Sequence, residues 1–213
     1  MEILSSMVIT FYGEDCFKIQ SGELVILVDP IDSKSGLNAP RFKYDALLKT
    51  LSPFPPESAH ADSSVDIAGP GEYNFKEAKV SGFLMENESS DKFIKTIYVT
   101  DIEEIKIALL GYLSEIPAPS IMEHLEEIDI LFVPAGGKPF MEQKSVIKLI
   151  RQIQPKIVIP TLYKLPGLKR QTDDLKKFLE EFNHGKTEPQ EKLTIKKKDL
   201  TSIKPSQLVI LKV

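Results

Sequence analysis

The chain has 213 residues, 42% of them hydrophobic, with 27 Lys and Arg against 31 Asp and Glu and a formal net charge of −4. That length and apolar content suffice for a sizeable core in a single domain spanning residues 1–213, and the acidic balance excludes a general attraction to nucleic acid or to anionic lipid. The single cysteine, Cys16, rules out an internal disulfide, and the N-terminus lacks a basic stretch followed by a long apolar run, so a reducing cytoplasm without a membrane span is expected.

Met7 to Tyr12 alternates apolar and polar β-formers, and after Gly13 a second run follows at Cys16 to Ile19, so the two read as neighbouring strands. Ser21-Gly22-Glu23 is a tight turn into Leu24-Val25-Ile26-Leu27-Val28, a continuous apolar run of the kind buried on both faces, which ends at Asp29-Pro30. A polar link with Gly36 and Pro40 leads to the short apolar strand Asp45 to Leu48. Ser63 to Ala68 is a weaker strand candidate before the turn Gly69-Pro70-Gly71. Val80 to Leu84 and Thr96 to Thr100 read as strands around the polar loop Glu86 to Asp91, and Ile105 to Leu110 as another.

The second half alternates helix and strand. Ser120 to Glu127 has helical spacing, with Glu123, Glu126 and Glu127 on a wet face, and precedes the buried strand Ile128 to Val133 and the turn Pro134 to Gly137. Lys144 to Gln152 predicts an amphipathic helix with Val146, Ile147, Ile150 and Ile153 on one face, followed by the strand Lys156 to Pro160. Asp173 to Phe182 predicts a third helix capped by Thr172, before closing strands at Lys192 to Ile195 and Leu208 to Leu211. Mixed sheets with helices outside them are implied.

The stretch after Leu48 matters most for chemistry. Thr50-Leu51-Ser52-Pro53-Phe54-Pro55-Pro56 reads as a stiff, extended connection because proline fixes φ and removes backbone donors, and it offers no metal-binding side chain. His60, His124 and His184 fall far apart and read as surface residues. Cys16, inside a strand and without a neighbouring histidine, reads as a buried, inert thiol. Glu14 and Asp15 read as solvated turn residues, with the alternative that they gather around a hard cation with Glu86 or Glu57. Lys196-Lys197-Lys198 reads as a solvated edge strand.

Five ordered segments, Gly13-Glu14-Asp15-Cys16-Phe17-Lys18-Ile19 with its hairpin into Asp29-Pro30, Gly69-Pro70-Gly71-Glu72-Tyr73, Ala108-Leu109-Leu110-Gly111-Tyr112, Ile128 to Gly137, and Pro155 to Lys164, together carry a resemblance. Over nearly the whole chain the sequence resembles the small stand-alone metallo-β-lactamase-fold hydrolases of the zinc-dependent type. The resemblance implies an α+β fold, a four-layer αββα sandwich, with a metal-activated water at one edge acting on esters, amides or phosphodiesters.

The ligands that the resemblance implies are absent from this sequence. Laying the family's T-H-x-H-x-D-H motif on Thr50 puts Leu51, Pro53, Pro55 and Pro56 at ligand positions, and a further histidine position falls near Glu86. The H-L-G-D motif reads Leu109-Leu110-Gly111-Tyr112, and the P-x-H-Y segment has Leu162 in place of histidine. Zinc needs nitrogen, sulfur or oxygen donors, and leucine and proline side chains have none. The expectation is a chain without a cofactor, inactive as a hydrolase, serving as a binding, regulatory or structural subunit that pairs with itself or with an intact relative. The alternative is a hydrolase with a rebuilt, non-histidine site drawing on Glu14, Asp15, Glu72, Glu86, Tyr112 or Tyr163.

Overall fold

A computed structural model describes residues 6–55, 64–182 and 187–213. The first sheet begins as an antiparallel meander of β1 (Met7–Gly13), β2 (Cys16–Ser21) and β3 (Leu24–Val28). Parallel to β3 run β4 (Ala46–Leu48) and then β6 (Val65–Ile67), and β13 (Leu193–Ile195) closes the other edge on β1, giving a six-stranded sheet in the order β13-β1-β2-β3-β4-β6. The period-two pattern sets its faces. Phe11, Phe17, Ile19, Ile26 and Leu48 point into the main core, and Cys16, Leu27 and Leu47 point the other way.

The outer face so formed explains why Leu24 to Val28 is an unbroken apolar run. Ile31 joins Cys16, Leu27 and Leu47 there, and Tyr12, Leu37, Phe42 and Tyr44 pack over them, so the segment between β3 and β4 supplies this covering layer without a helix.

The second sheet has eight strands. Its antiparallel half is β7 (Gly71–Phe75), β8 (Ala78–Leu84), β9 (Phe93–Ile102) and β10 (Ile105–Leu109), and its parallel half continues through β11 (Ile130–Pro134), β12 (Ile157–Thr161) and β14 (Gln207–Leu208). Every residue of β11 and β12 is buried, as expected for strands covered on both sides. The prolines after Thr50 do not leave that segment outside the sheets, because β5 (Leu51–Pro53) pairs with the first residues of β9, Leu51 opposite Lys95 and Pro53 opposite Phe93. An edge position of this kind is where a sheet tolerates proline.

The two sheets meet face to face. Phe17 of β2 stands edge-on to Phe132 of β11 with centroids 4.5 Å apart and stacks on Phe11 at 4.8 Å, and its side chain is fully buried. The layered two-sheet sandwich expected from the sequence is therefore present, with thin helical cover. The helices are α1 (Pro119–Met122), α2 (Gln143–Ile153), α3 (Leu175–Phe182) and α4 (Lys197–Leu200). Helix α2 buries Val146, Ile147, Leu149 and Ile150 and stops where Gln154 turns left-handed, its N–H donating to the Ile150 carbonyl at 2.8 Å.

Three local expectations change. Thr172 does not cap α3: it is packed against Gly136, its Oγ1 has no hydrogen-bond partner among the described residues, and Asp174 Oδ1 instead accepts the Lys177 N–H at 3.3 Å. The segment Ser120 to Glu127 makes only the short α1 and a 3₁₀ turn over Glu123–Leu125. The lysine run is helical, not an edge strand, because Asp199 Oδ2 accepts the Lys196 N–H at 2.9 Å and Lys197 reaches across to Asp129 at 2.8 Å.

Because Phe17 joins the two sheets through rings on both sides, Phe17→Ala is expected to destabilise the protein by about 3–5 kcal/mol. Chemical denaturation followed by circular dichroism measures it, and a loss below about 1 kcal/mol would refute the inter-sheet role.

Candidate functional site

The site is built where the chain steps from the first sheet to the second. Thr50 stands between β4 and β5, and its N–H and Oγ1 donate to the two carboxylate oxygens of Asp29 at 2.8 and 2.5 Å. Its carbonyl accepts the Thr96 N–H of β9 at 2.8 Å. One residue thus ties the end of β3 to the middle of the opposite sheet. Tyr98 of β9 reinforces the step: its hydroxyl accepts the Gly69 N–H at 2.8 Å and lies 3.2 Å from the Lys49 carbonyl. Burial pushes the Tyr98 phenol up, which keeps it a neutral hydrogen-bonding group.

Asp29 is not alone. Asp15, in the turn between β1 and β2, hydrogen-bonds to Asp29 and lies beside Thr161 at the end of β12, whose hydroxyl donates to the Val133 carbonyl at 3.2 Å, and both aspartates are buried. Burial raises the pKa of each, and their mutual repulsion raises Asp29 further. Two carboxyls out of water cannot both ionise at low cost, so the pair shares a proton. Glu14, also buried, faces Arg170, whose Nε donates to Glu14 Oε1 at 3.0 Å. The sequence-based expectation that Glu14 and Asp15 are solvated is therefore corrected. The turn carrying them is folded inward, with Gly13 and Glu14 at positive φ and the Glu14 carbonyl accepting the Leu162 N–H at 2.8 Å.

Tyr112 closes the group from above. It follows Gly111, whose positive φ and close approach to the Thr50 side chain leave no room for a Cβ. Burial pushes the Tyr112 phenol well up, and the neighbouring Asp29, Asp15 and Glu14 add to that while Arg170 opposes it. The Arg170 guanidinium lies 5.7 Å from the Tyr112 ring centroid and 5.6 Å from that of Phe140, within cation–π range.

The positions singled out from the sequence separate into groups. Leu51, Pro53 and Tyr112 share the wall of one groove of about 530 Å³ with Phe93, Phe140 and Arg170. Leu109, at the end of β10, and Leu162, left-handed just after β12, are buried and do not line it. Pro55 is exposed beyond β5. Glu86 is exposed and lines a different groove with Phe83 and Ile116, so it does not join the Glu14–Asp15 cluster. Glu72 is exposed on β7 and accepts from Ser81, and Tyr163 is buried in the core. Cys16 is buried, and burial pushes its thiol up to about 12, in keeping with an inert group. His124 is exposed and stacks on Phe83 at 4.4 Å. Pro56, Glu57, His60 and His184 lie outside the described residues.

These residues do not suit a catalytic zinc or iron. Among the described residues, no group of three or more His, Cys, Asp and Glu side chains is placed to hold a metal ion. The carboxylates that do converge are already engaged, Asp29 by Thr50 and Asp15, and Glu14 by Arg170. Around them stand hydrocarbon side chains and one neutral phenol, which supply too few donors for a first coordination sphere. The arrangement can instead hold an anion, through Arg170, or store a proton, through the aspartate pair.

A raised carboxyl pKa means that the folded chain holds more protons than the unfolded one. That contribution is complete below the ordinary aspartate value of 3.8 and is lost as pH rises through about 6. Asp15→Asn keeps a polar partner for Asp29 without the proton. Relative to the wild type, this variant is expected to gain about 1–3 kcal/mol in stability between pH 5 and pH 8. Urea unfolding at the two pH values reads the difference, and a constant gap would show that the two carboxyls are not coupled.

A family model described as a β-lactamase superfamily domain matches residues 8–162. No curated protein matches the sequence. Among solved structures, a metallo-β-lactamase superfamily protein from Thermotoga maritima is 25% identical with a TM-score of 0.78, covering 96% of this chain and 98% of that one. Igni18, a metallo hydrolase from Ignicoccus hospitalis, is 14% identical with a TM-score of 0.62, covering 90% and 99%. The metallo-β-lactamase fold protein YhfI from Bacillus subtilis is 10% identical with a TM-score of 0.60, covering 98% and 97%. The family match runs through every strand from β1 to β12, and with the layered pair of sheets it establishes that this chain belongs to the β-lactamase superfamily domain family and has the metallo-β-lactamase fold.

Proposed function

We propose that this chain is a metallo-β-lactamase-fold protein that does not work as a metal hydrolase and acts as a binding, regulatory or structural subunit. One observation carries the reading. The positions that the sequence resemblance lays on the family's ligand motifs hold Leu51, Pro53, Leu109, Tyr112 and Leu162, and beside the buried Glu14, Asp15 and Asp29 the cation among the described residues is the side chain of Arg170. An arginine cannot activate water as a Lewis acid, and its charge is fixed at any working pH.

A lone buried thiol and a net acidic surface fit a cytoplasmic chain that folds as one unit over residues 1–213 and meets a protein partner, either a second copy or an intact relative. Among the described residues, no helix is long and apolar enough to cross a membrane.

Metal analysis of the purified, dialysed protein is expected to find well under one zinc, iron or manganese per chain, and a chelator is expected to leave the melting temperature unchanged. Stoichiometric metal surviving dialysis would overturn the reading. So would turnover of an ester or phosphodiester that scales with added divalent ion and disappears in Arg170→Gln.

A further inference from the structure

The groove beside Tyr112 has a composition unlike the rest of the molecule. The walls are Leu51 and Pro53 of β5, Phe93 of β9, and the Pro139-Phe140 turn with Tyr112, and among the described residues the ionised groups lining it are Lys92, Lys95 and Arg170, without a carboxylate. In a protein whose acids outnumber its bases by 31 to 27, a concave apolar surface edged, among the described residues, by cations alone is a biased local environment. Leu51 and Phe93 are among the large apolar side chains that remain exposed, and Phe54, 49% exposed, follows on the same strand edge. The volume, about 530 Å³, is in the range of small-molecule sites.

The cations differ in what is already bound to them. Lys95 is spent on Glu88 at 2.7 Å, and that carboxylate is almost fully buried. Arg170 is only partly used. Its Nε is anchored on Glu14, its plane rests near the Tyr112 and Phe140 rings, and its terminal amino groups have no acceptor among the described residues. A guanidinium fixed by its inner nitrogen, with its outer fork free, is preorganised for a two-point contact with an oxyanion. Lys92 adds a second cation that makes no ion pair among the described residues.

We propose that this groove binds a small anion carried on an apolar body. The oxyanion sits on the outer nitrogens of Arg170 with Lys92 nearby, and the hydrocarbon lies between the Leu51–Pro53–Phe93 wall and the Tyr112–Phe140 wall. This inference rests on the non-hydrolytic reading above and names the ligand class of the same site.

The groove then requires both halves of the ligand. The charge alone is held by exposed cations in competition with water. The body alone gains burial without the oriented fork.

Isothermal calorimetry on the full-length protein with octanoate and octyl phosphate as probes, and octanol, acetate and inorganic phosphate as controls, tests this. Saturable binding of at least one octyl anion is expected, with the matching headgroup or the neutral alcohol weaker by at least tenfold, and the two anions compared directly identify carboxylate or phosphate as the preferred group. Arg170→Gln and Phe93→Ser are each expected to weaken binding at least tenfold, with the far-ultraviolet circular dichroism spectrum of each variant matching the wild type to show that it is folded. No saturable binding of either octyl anion up to about 10 mM would overturn the inference, as would equal binding of octanol or an unchanged affinity in both variants. Those outcomes leave the non-hydrolytic reading standing. Binding that requires added zinc, or hydrolysis of an octanoate ester, would instead remove that reading.

Discussion

The geometry of the site depends on the contact between Thr50 and Asp29. A β-sandwich whose chain crosses from one sheet to the other must hand over its backbone hydrogen bonds at the crossing, and buried groups there cannot turn to water. Thr50 solves this in one residue: its N–H and hydroxyl go back to Asp29 in the first sheet, and its carbonyl goes forward to Thr96 in the second. Everything at the site is then placed relative to it. Gly111 crosses against its side chain and so sets Tyr112 over the carboxyls, and β5 starts from it along the edge of β9.

A buried carboxylate at such a junction has to be neutralised. A metal centre does this with an ion that several anionic donors share. Here the same duty is divided between a proton, shared by Asp15 and Asp29, and a guanidinium, held by Glu14. The two solutions have different consequences. A shared proton can leave as pH rises, so the pair's stabilising contribution is conditional, whereas the Arg170 charge is permanent and, standing 41% exposed, remains available to solutes.

Most of the strands were legible in the sequence because their signal is local. Alternation over Met7 to Tyr12, unbroken apolar runs at β11 and β12, and Gly-Pro turns each specify an element without reference to the rest of the chain. The hydrocarbon at Leu51, Pro53, Leu109 and Leu162 was equally plain, being a matter of residue identity. What escaped was everything set by folding in three dimensions. Arg170 sits in a polar stretch without periodicity and meets Glu14 across 156 positions of sequence. Glu14 and Asp15 look like any acidic turn until the left-handed backbone at Gly13 and Glu14 turns them inward. The lysine run looked like an edge strand because its cap, Asp199, and its partner, Asp129, act on it from outside the run.

Leu162 shows why a fold of this kind can be kept apart from a chemistry. A branched, bulky side chain at φ 57° is unfavourable, and such a conformation persists only where its surroundings dictate it. They do: the Leu162 N–H is held by the Glu14 carbonyl, and its own carbonyl is pressed against Gly136, where no Cβ fits. The turn at the end of β12 is therefore fixed by backbone contacts from two other loops, whatever side chain it carries. If backbone alone dictates the loops at the strand ends, the donor set on them can change from nitrogen and oxygen to hydrocarbon without disturbing the sheets. Likeness of fold to metal hydrolases then carries the architecture and leaves the reaction to be decided by the side chains present.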